Sequence, residues 1–291
     1  MSLTAIDEHV YAASKELRGR GAPDPEVLFL MATGVGLLPS TYAATWRMPL
    51  EAISGVPSIW RGAQLIAAEH RDATCWFLED SPGEGPGHPT PPGAPVQQDW
   101  ERAFPVWLAA CSGATLCVHT SAGSRLAQED ENSGNETLVL VEDHLNLSGH
   151  TPLRGMGESR LGPLFPDQSF LHHAGLRKIA RRAAERLGLP IAEAVAACSA
   201  GPAIETPAER AFYARAGAGV VVQDLADPLI AMSHAGLACL AVVAAIDSRD
   251  SATDVGALVA GADRLAPALE ELLAALAPDF TRIAFELREE I

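Results

Sequence analysis

Short uninterrupted apolar runs alternate along this chain with segments whose apolar residues recur every three to four positions. That alternation confines the chain to layered α/β folds. The clearest run, Val27-Leu28-Phe29-Leu30-Met31, is bounded by Pro25 and Gly34 and has no polar face. It reads as a strand buried on both sides in a largely parallel sheet. Ile6, Val10, Ala13 and Leu17 mark a helix ahead of it, ended by Gly19 and Gly21. Further strands are expected at 64–68, 74–78, 115–119, 137–141, 194–199, 219–222 and 237–246, and helices at 99–111, 170–187, 207–216, 228–235 and 252–277. Ten of the fifteen residues from Ser81 to Pro95 are Pro or Gly, which makes that segment a loop. Residues 142–169 keep interspersed Leu, Phe and Pro and read as a long ordered connection. The elements flanking the Pro/Gly loop look like parts of one sheet and no internal repeat shows, so residues 1–291 are read as a single domain.

Composition narrows the function classes. The 37 acidic and 21 basic side chains give a formal charge of −16, a field that repels nucleic-acid backbones and anionic membrane surfaces. No run of 18 apolar residues is present, so no membrane span is expected. The five cysteines (Cys75, Cys111, Cys117, Cys198 and Cys239) are odd in number and form no C-x-x-C. Without a signal peptide at the N-terminus, they read as reduced core residues of a cytoplasmic protein.

In open α/β sheets, ligands bind beyond the carboxyl ends of strands. The residues there are Thr33, Ser121, the stretch Gly201 to Glu205, Gln223-Asp224 and Asp247-Ser248. Thr33-Gly34-Val35-Gly36 offers a hydroxyl and close backbone approach to an anion, although an ordinary strand-to-helix turn has the same composition. Thr206 and Glu209 fit a capping box with Pro207 at the first helical position, which leaves Glu205 unexplained by helix capping. Asp247 is the parallel case after the run Leu240 to Ile246. Metal binding gains no support, because His172 and His173 are adjacent on a predicted helix and the other histidines have no partner four residues away. No G-x-S-x-G is present for a serine triad.

Four ordered motifs carry a resemblance: Val139-Leu140-Val141-Glu142-Asp143-His144-Leu145-Asn146-Leu147, Pro152-Leu153-Arg154-Gly155, Phe165-Pro166-Asp167-Gln168-Ser169, and Gly201 through Glu209. Together they resemble the trimeric purine nucleoside phosphorylases and the related methylthioadenosine phosphorylases, most clearly over residues 137–248, where His234-Ala235-Gly236 resembles the family's His-Cys-Gly. The resemblance implies a three-layer α/β/α sandwich with a mixed, partly barrel-like central sheet. It also implies a homotrimer that cleaves a purine nucleoside with phosphate to free base and ribose 1-phosphate, a pentosyl transfer in purine salvage. Phosphate would be a co-substrate, and no cofactor or metal is implied. Glu205 stands at the family's purine-binding glutamate, and Ile204 replaces the Phe that packs on the base. Asp247 stands where many members have Asn and the methylthioadenosine phosphorylases have Asp; as base-binding and catalytic residue it would hold a protonated N7 or a 6-amino group and favour 6-aminopurines.

The phosphate side departs from the family pattern. Thr33 and Ser121 are the remnants of the phosphate contacts, while the family's Gly-Arg-x-His aligns with Leu78-Glu79-Asp80-Ser81-Pro82-Gly83. Its second phosphate-binding serine aligns with Asp224, and Gln223 takes the place of the methionine under the ribose. The loss of one arginine contact costs about 1.5–3 kcal/mol. A carboxylate about 4 Å from the anion adds repulsion of about 4 kcal/mol at an effective dielectric of about 20. Another cation, such as Arg125 or Arg61, would have to compensate. Three readings therefore stay open: a phosphorylase with a rebuilt phosphate site, a phosphate-independent nucleoside hydrolase with Asp224 as general base, and a non-catalytic nucleoside-binding paralogue.

Overall fold

Val27, Phe29 and Met31 pack into one core and Leu28 and Leu30 into another, so the apolar run forms β1 (Val27–Met31) with both faces buried. The computed structural model describes residues 5–31, 38–79, 99–126, 136–201, 203–223, 225–247 and 255–289. After α1 (Ala5–Gly19) and β1 come β2 (Ala43–Pro49), β3 (Gln64–His70), β4 (Ala73–Glu79) and α2 (Asp99–Ser112). β5 (Leu116–Arg125), β6 (Glu136–Asn146), α3 (Ala174–Leu187), β7 (Ile191–Ser199) and α4 (Pro207–Arg215) follow. The described chain closes with β8 (Ala218–Gln223), α5 (Ala226–Ala235), β9 (Ala238–Asp247) and α6 (Val255–Glu289). The strands form a single sheet in the order β2-β3-β4-β1-β5-β8-β7-β6-β9, and β5 also pairs with β9. That extra pairing closes β5, β8, β7, β6 and β9 into a barrel, with β1 to β4 as an open extension.

Two helical layers cover the sheet, as expected for a three-layer sandwich. Ile6, Val10, Ala13 and Leu17 of α1 join Phe104, Trp107 and Leu108 of α2 and Leu229 and Met232 of α5 on one face. Leu176 and Ala180 of α3 join Leu269, Leu272, Leu276 and Phe280 of α6 on the other. There Phe29 stacks on Phe77 with centroids 4.7 Å apart and meets Phe280 edge-on at 5.6 Å. Cys75, Cys117, Cys198 and Cys239 are buried core residues, as read from the sequence; only Cys111 is partly exposed. Among the described residues no helix is long and apolar enough to cross a membrane.

Several boundaries differ from the sequence expectation, each for a packing reason. Residues 120–123, expected as a small-residue turn, lie inside β5, which stays paired with β9 as far as Arg125 opposite Asp247. Their small size serves the barrel seam: a Cβ on Gly123 would sit 2.7 Å from the Val221 carbonyl oxygen and 2.9 Å from Val243 Cγ1. β6 likewise runs on to Asn146, so the irregular connection begins later than residue 142. α3 starts at Ala174 rather than 170, because the His173 side chain caps it by accepting from the Leu176 N–H at 3.0 Å. His172 is therefore not helical; it forms a parallel bridge with Cys239. α6 continues through Pro278 because Phe280, Ile283 and Ala284 extend its buried stripe, and core burial overrides the proline signal. β2 escaped the sequence reading because it is an edge strand with mostly exposed side chains.

Candidate functional site

β7 and β8 run parallel with Ser199 opposite Gln223, which brings the last residues of both strands to one sheet edge. The chain then turns at Gly201, whose φ of +59° belongs to the left-handed region that glycine adopts without strain. A Cβ there would also press on the Gln223 amide, which would have to swing away from the turn. The turn delivers Glu205 back toward the strand ends. Ser199 Oγ–H donates to Glu205 Oε1 at 2.6 Å, and Gln223 Nε2–H approaches the same oxygen at 3.5 Å. Gln223 Nε2 also donates to the Ala203 carbonyl oxygen at 3.0 Å, tying the turn to β8. Glu205 Oε2 makes no hydrogen bond to the described residues, and Glu205 and its neighbour Ile204 are both half-buried.

α4 begins immediately after this carboxylate. Thr206 accepts from the Glu209 N–H while Glu209 accepts from the Thr206 N–H at 2.7 Å, the reciprocal box anticipated from the sequence. Helix capping thus uses Thr206 and Glu209 and leaves Glu205 available. A half-buried carboxylate with one oxygen held by two donors and the other unengaged is arranged to accept hydrogen bonds from a polar heterocycle.

The other sequence candidates are more dispersed. Ser121 is buried within β5, and its Oγ lies 3.2 Å from His119 Nδ1, a neighbour the sequence reading did not single out. The backbone of Asp247 ends β9 opposite Arg125, which is buried. Arg210 of α4 donates to the Arg125 carbonyl oxygen at 2.6 Å, so α4 is fastened to this end of β5. Arg61 follows the short helical turn at 58–60 and is exposed. Thr33, Asp224, the loop 81–95 and the Asp247 side chain lie outside the described residues and atoms. The structure therefore brings Glu205 and Gln223 together and adds Ser199, which the sequence reading missed. Ser199 was detectable only through the β7–β8 register.

A separate cavity of 620 Å³ opens at the carboxyl ends of β1 and β4, lined in part by Met31, Tyr42, Arg47, Phe77 and Glu79. Of the stretch aligned with the family's Gly-Arg-x-His, Glu79 is in this lining; Glu205, Gln223 and Ser121 are not.

Comparison with known proteins gives this geometry a context. Residues 115–280 match the family described as the phosphorylase superfamily. Over 246 residues the chain is 26% identical to purine nucleoside phosphorylase 1 of Geobacillus stearothermophilus, covering 83% of this chain and 84% of that protein. A shorter region of 139 residues is 32% identical to purine nucleoside phosphorylase 1 of Bacillus subtilis and spans 48% of this chain and 50% of that one. In three dimensions the chain is similar to isoform 2 of purine nucleoside phosphorylase from Schistosoma mansoni, solved with cytosine and ribose-1-phosphate. That match has a TM-score of 0.78 and 20% identity over 94% of this chain and 97% of the other. A Schistosoma enzyme structure with hypoxanthine matches equally, with a TM-score of 0.78.

Proposed function

Because the chain belongs to the phosphorylase superfamily, we propose that it is a purine nucleoside phosphorylase-like pentosyltransferase with a rebuilt phosphate site. The observation that carries this reading is the Glu205 carboxylate, held through one oxygen by Ser199 and Gln223 at the ends of β7 and β8. Glu205 accepts the polar edge of the purine, and Ile204 packs against the ring. Gln223, in the place of the ribose methionine, keeps Glu205 oriented and lies beside the sugar. Similar structures that hold hypoxanthine and ribose-1-phosphate support a purine and a pentose phosphate as ligands.

In the reaction a phosphate oxygen forms a bond to C1′ as the bond from C1′ to the purine nitrogen breaks, and the bonding pair leaves with the base. Asp247 holds the base at N7 or the 6-amino group while charge develops there. The buried Arg125, whose backbone is in register with Asp247, supplies a cation for the phosphate, and Thr33 and Ser121 keep the phosphate-binding roles that the family resemblance gives them. Purified protein should release base from adenosine, inosine or methylthioadenosine only when phosphate is present, with the 6-aminopurines preferred. Release at the same rate without phosphate would replace this reading with hydrolysis through Asp224. Stabilisation by a nucleoside without turnover would leave a binding protein.

Phe165 and Phe170 are 89% and 87% exposed on the connection leading to α3. The resemblance to the trimeric purine nucleoside phosphorylases makes a homotrimer the expected state, and aromatic side chains this exposed fit burial against another copy of the chain. Light scattering is expected to give three times the 30.6 kDa chain mass; a monomer at micromolar concentration would remove the trimer. The buried, reduced cysteines suit a cytoplasmic setting.

A further inference from the structure

His144 and His172 are 28 residues apart in sequence, and the fold puts His144 Nδ1 3.1 Å from His172 Nε2. The rings meet with centroids 5.3 Å apart at an interplanar angle of 65°. Asp143 completes the group: one potential ligand atom from each of the three residues lies within 4.8 Å of the others. His172 is not helical as expected from the sequence, and its partner His144 lies on β6 rather than four residues away along a helix.

Backbone structure fixes these positions. β6 carries a bulge between Val141 and Asp143, which re-aims the strand just before the group. The last β6 residue paired with β9 is Leu140, and farther along β9 the 171–173 segment docks instead. His173 N–H donates to the Cys239 carbonyl oxygen at 3.0 Å, and Cys239 N–H donates to that of Leu171 at 3.1 Å. Arg177 Nη1–H donates to the His172 carbonyl oxygen at 2.7 Å, and Arg177 Nε lies 3.7 Å from Glu193, which offsets the positive charge beside the group. The Asp143 carboxylate turns along the strand to accept from the His144 N–H at 2.8 Å.

We propose that Asp143, His144 and His172 bind a divalent transition-metal ion of borderline softness, with zinc as first choice. Two imidazoles and one carboxylate form a three-ligand set that leaves a fourth position for water. Zn–N bonds of about 2.0–2.1 Å in a tetrahedron separate the nitrogens by about 3.3 Å, close to the spacing already present. His172 Nδ1 has no hydrogen-bond partner among the described residues, which leaves the ring proton able to reside there and the Nε2 lone pair to face His144. A cavity of 380 Å³ lined by Asp143, His172, His173, Arg177, Glu142 and Gln168, among others, gives ion and water a way in.

The test uses the untagged full chain after chelator treatment, titrated with Co²⁺ by visible absorption and with Zn²⁺ by calorimetry. One ion per chain and the strong visible absorption of four-coordinate Co²⁺ are expected. Asp143→Asn and His144→Gln should each weaken binding by about tenfold or more, and His172→Gln should abolish the absorption. Circular dichroism checks that each variant folds; if the buried His172 variant fails, the other two carry the test. Absence of Co²⁺ absorption in the parent chain, or equal affinity in folded Asp143→Asn and His144→Gln variants, would overturn the site. No nucleoside or phosphate enters the titration, so its outcome is independent of the phosphorolysis reading.

Discussion

Replacing Glu205 with glutamine is expected to lower kcat/KM for a purine nucleoside by roughly 10- to 150-fold with little change in stability. The substitution keeps an oxygen that can accept from Ser199 at the 2.6 Å contact, so the turn after β7 is retained. It removes the charge that would receive the base, and a hydrogen bond to a charged group is worth about 1.5–3 kcal/mol. Steady-state kinetics and thermal unfolding on the same preparation separate the two roles. A large fall in melting temperature with unchanged kinetics would show that Glu205 only buttresses the turn.

The largest effect on stability is expected at Trp107. This side chain is fully buried in α2, and its Nε1–H donates to His234 Nδ1 on α5 at 3.1 Å. The connection between β6 and α3 closes on the same point: a Cβ on Gly162 would lie far inside contact distance of the His234 carbonyl oxygen. Trp107→Ala removes an indole from a region with no room to collapse smoothly, and about 3–5 kcal/mol of destabilisation is expected from the midpoint of denaturant unfolding. Trp107→Phe retains most of the apolar contact and should cost less, since it chiefly removes one buried hydrogen bond worth about 1 kcal/mol. A Trp107→Ala midpoint matching the parent would contradict the packing described around His234.

Features legible in the sequence were those set by local pattern. β1 was readable because burial on both faces leaves no polar residue in the run from Val27 to Met31, and the box at Thr206 because its donors and acceptors lie within one turn. The motifs between residues 137 and 248 pointed to the purine nucleoside phosphorylases, and the matched family region and relatives agree. β2 was missed because an exposed edge strand has no apolar alternation to detect. The length of β5 was missed because Thr120 through Gly123 have turn composition, although their smallness lets β8 and β9 approach. In the candidate site, Glu205 followed from its place after a strand, whereas its hold by Ser199 and Gln223 depends on strand register. The pairing of His144 with His172 depends equally on where the 171–173 segment docks on β9.

We propose that this barrel transfers a pentosyl group to phosphate. Phosphorus NMR of a reaction containing adenosine and inorganic phosphate, with released base measured in parallel, tests it most directly. One ribose 1-phosphate for each purine released is the predicted result. Purine release accompanied by free ribose and unconsumed phosphate would contradict it.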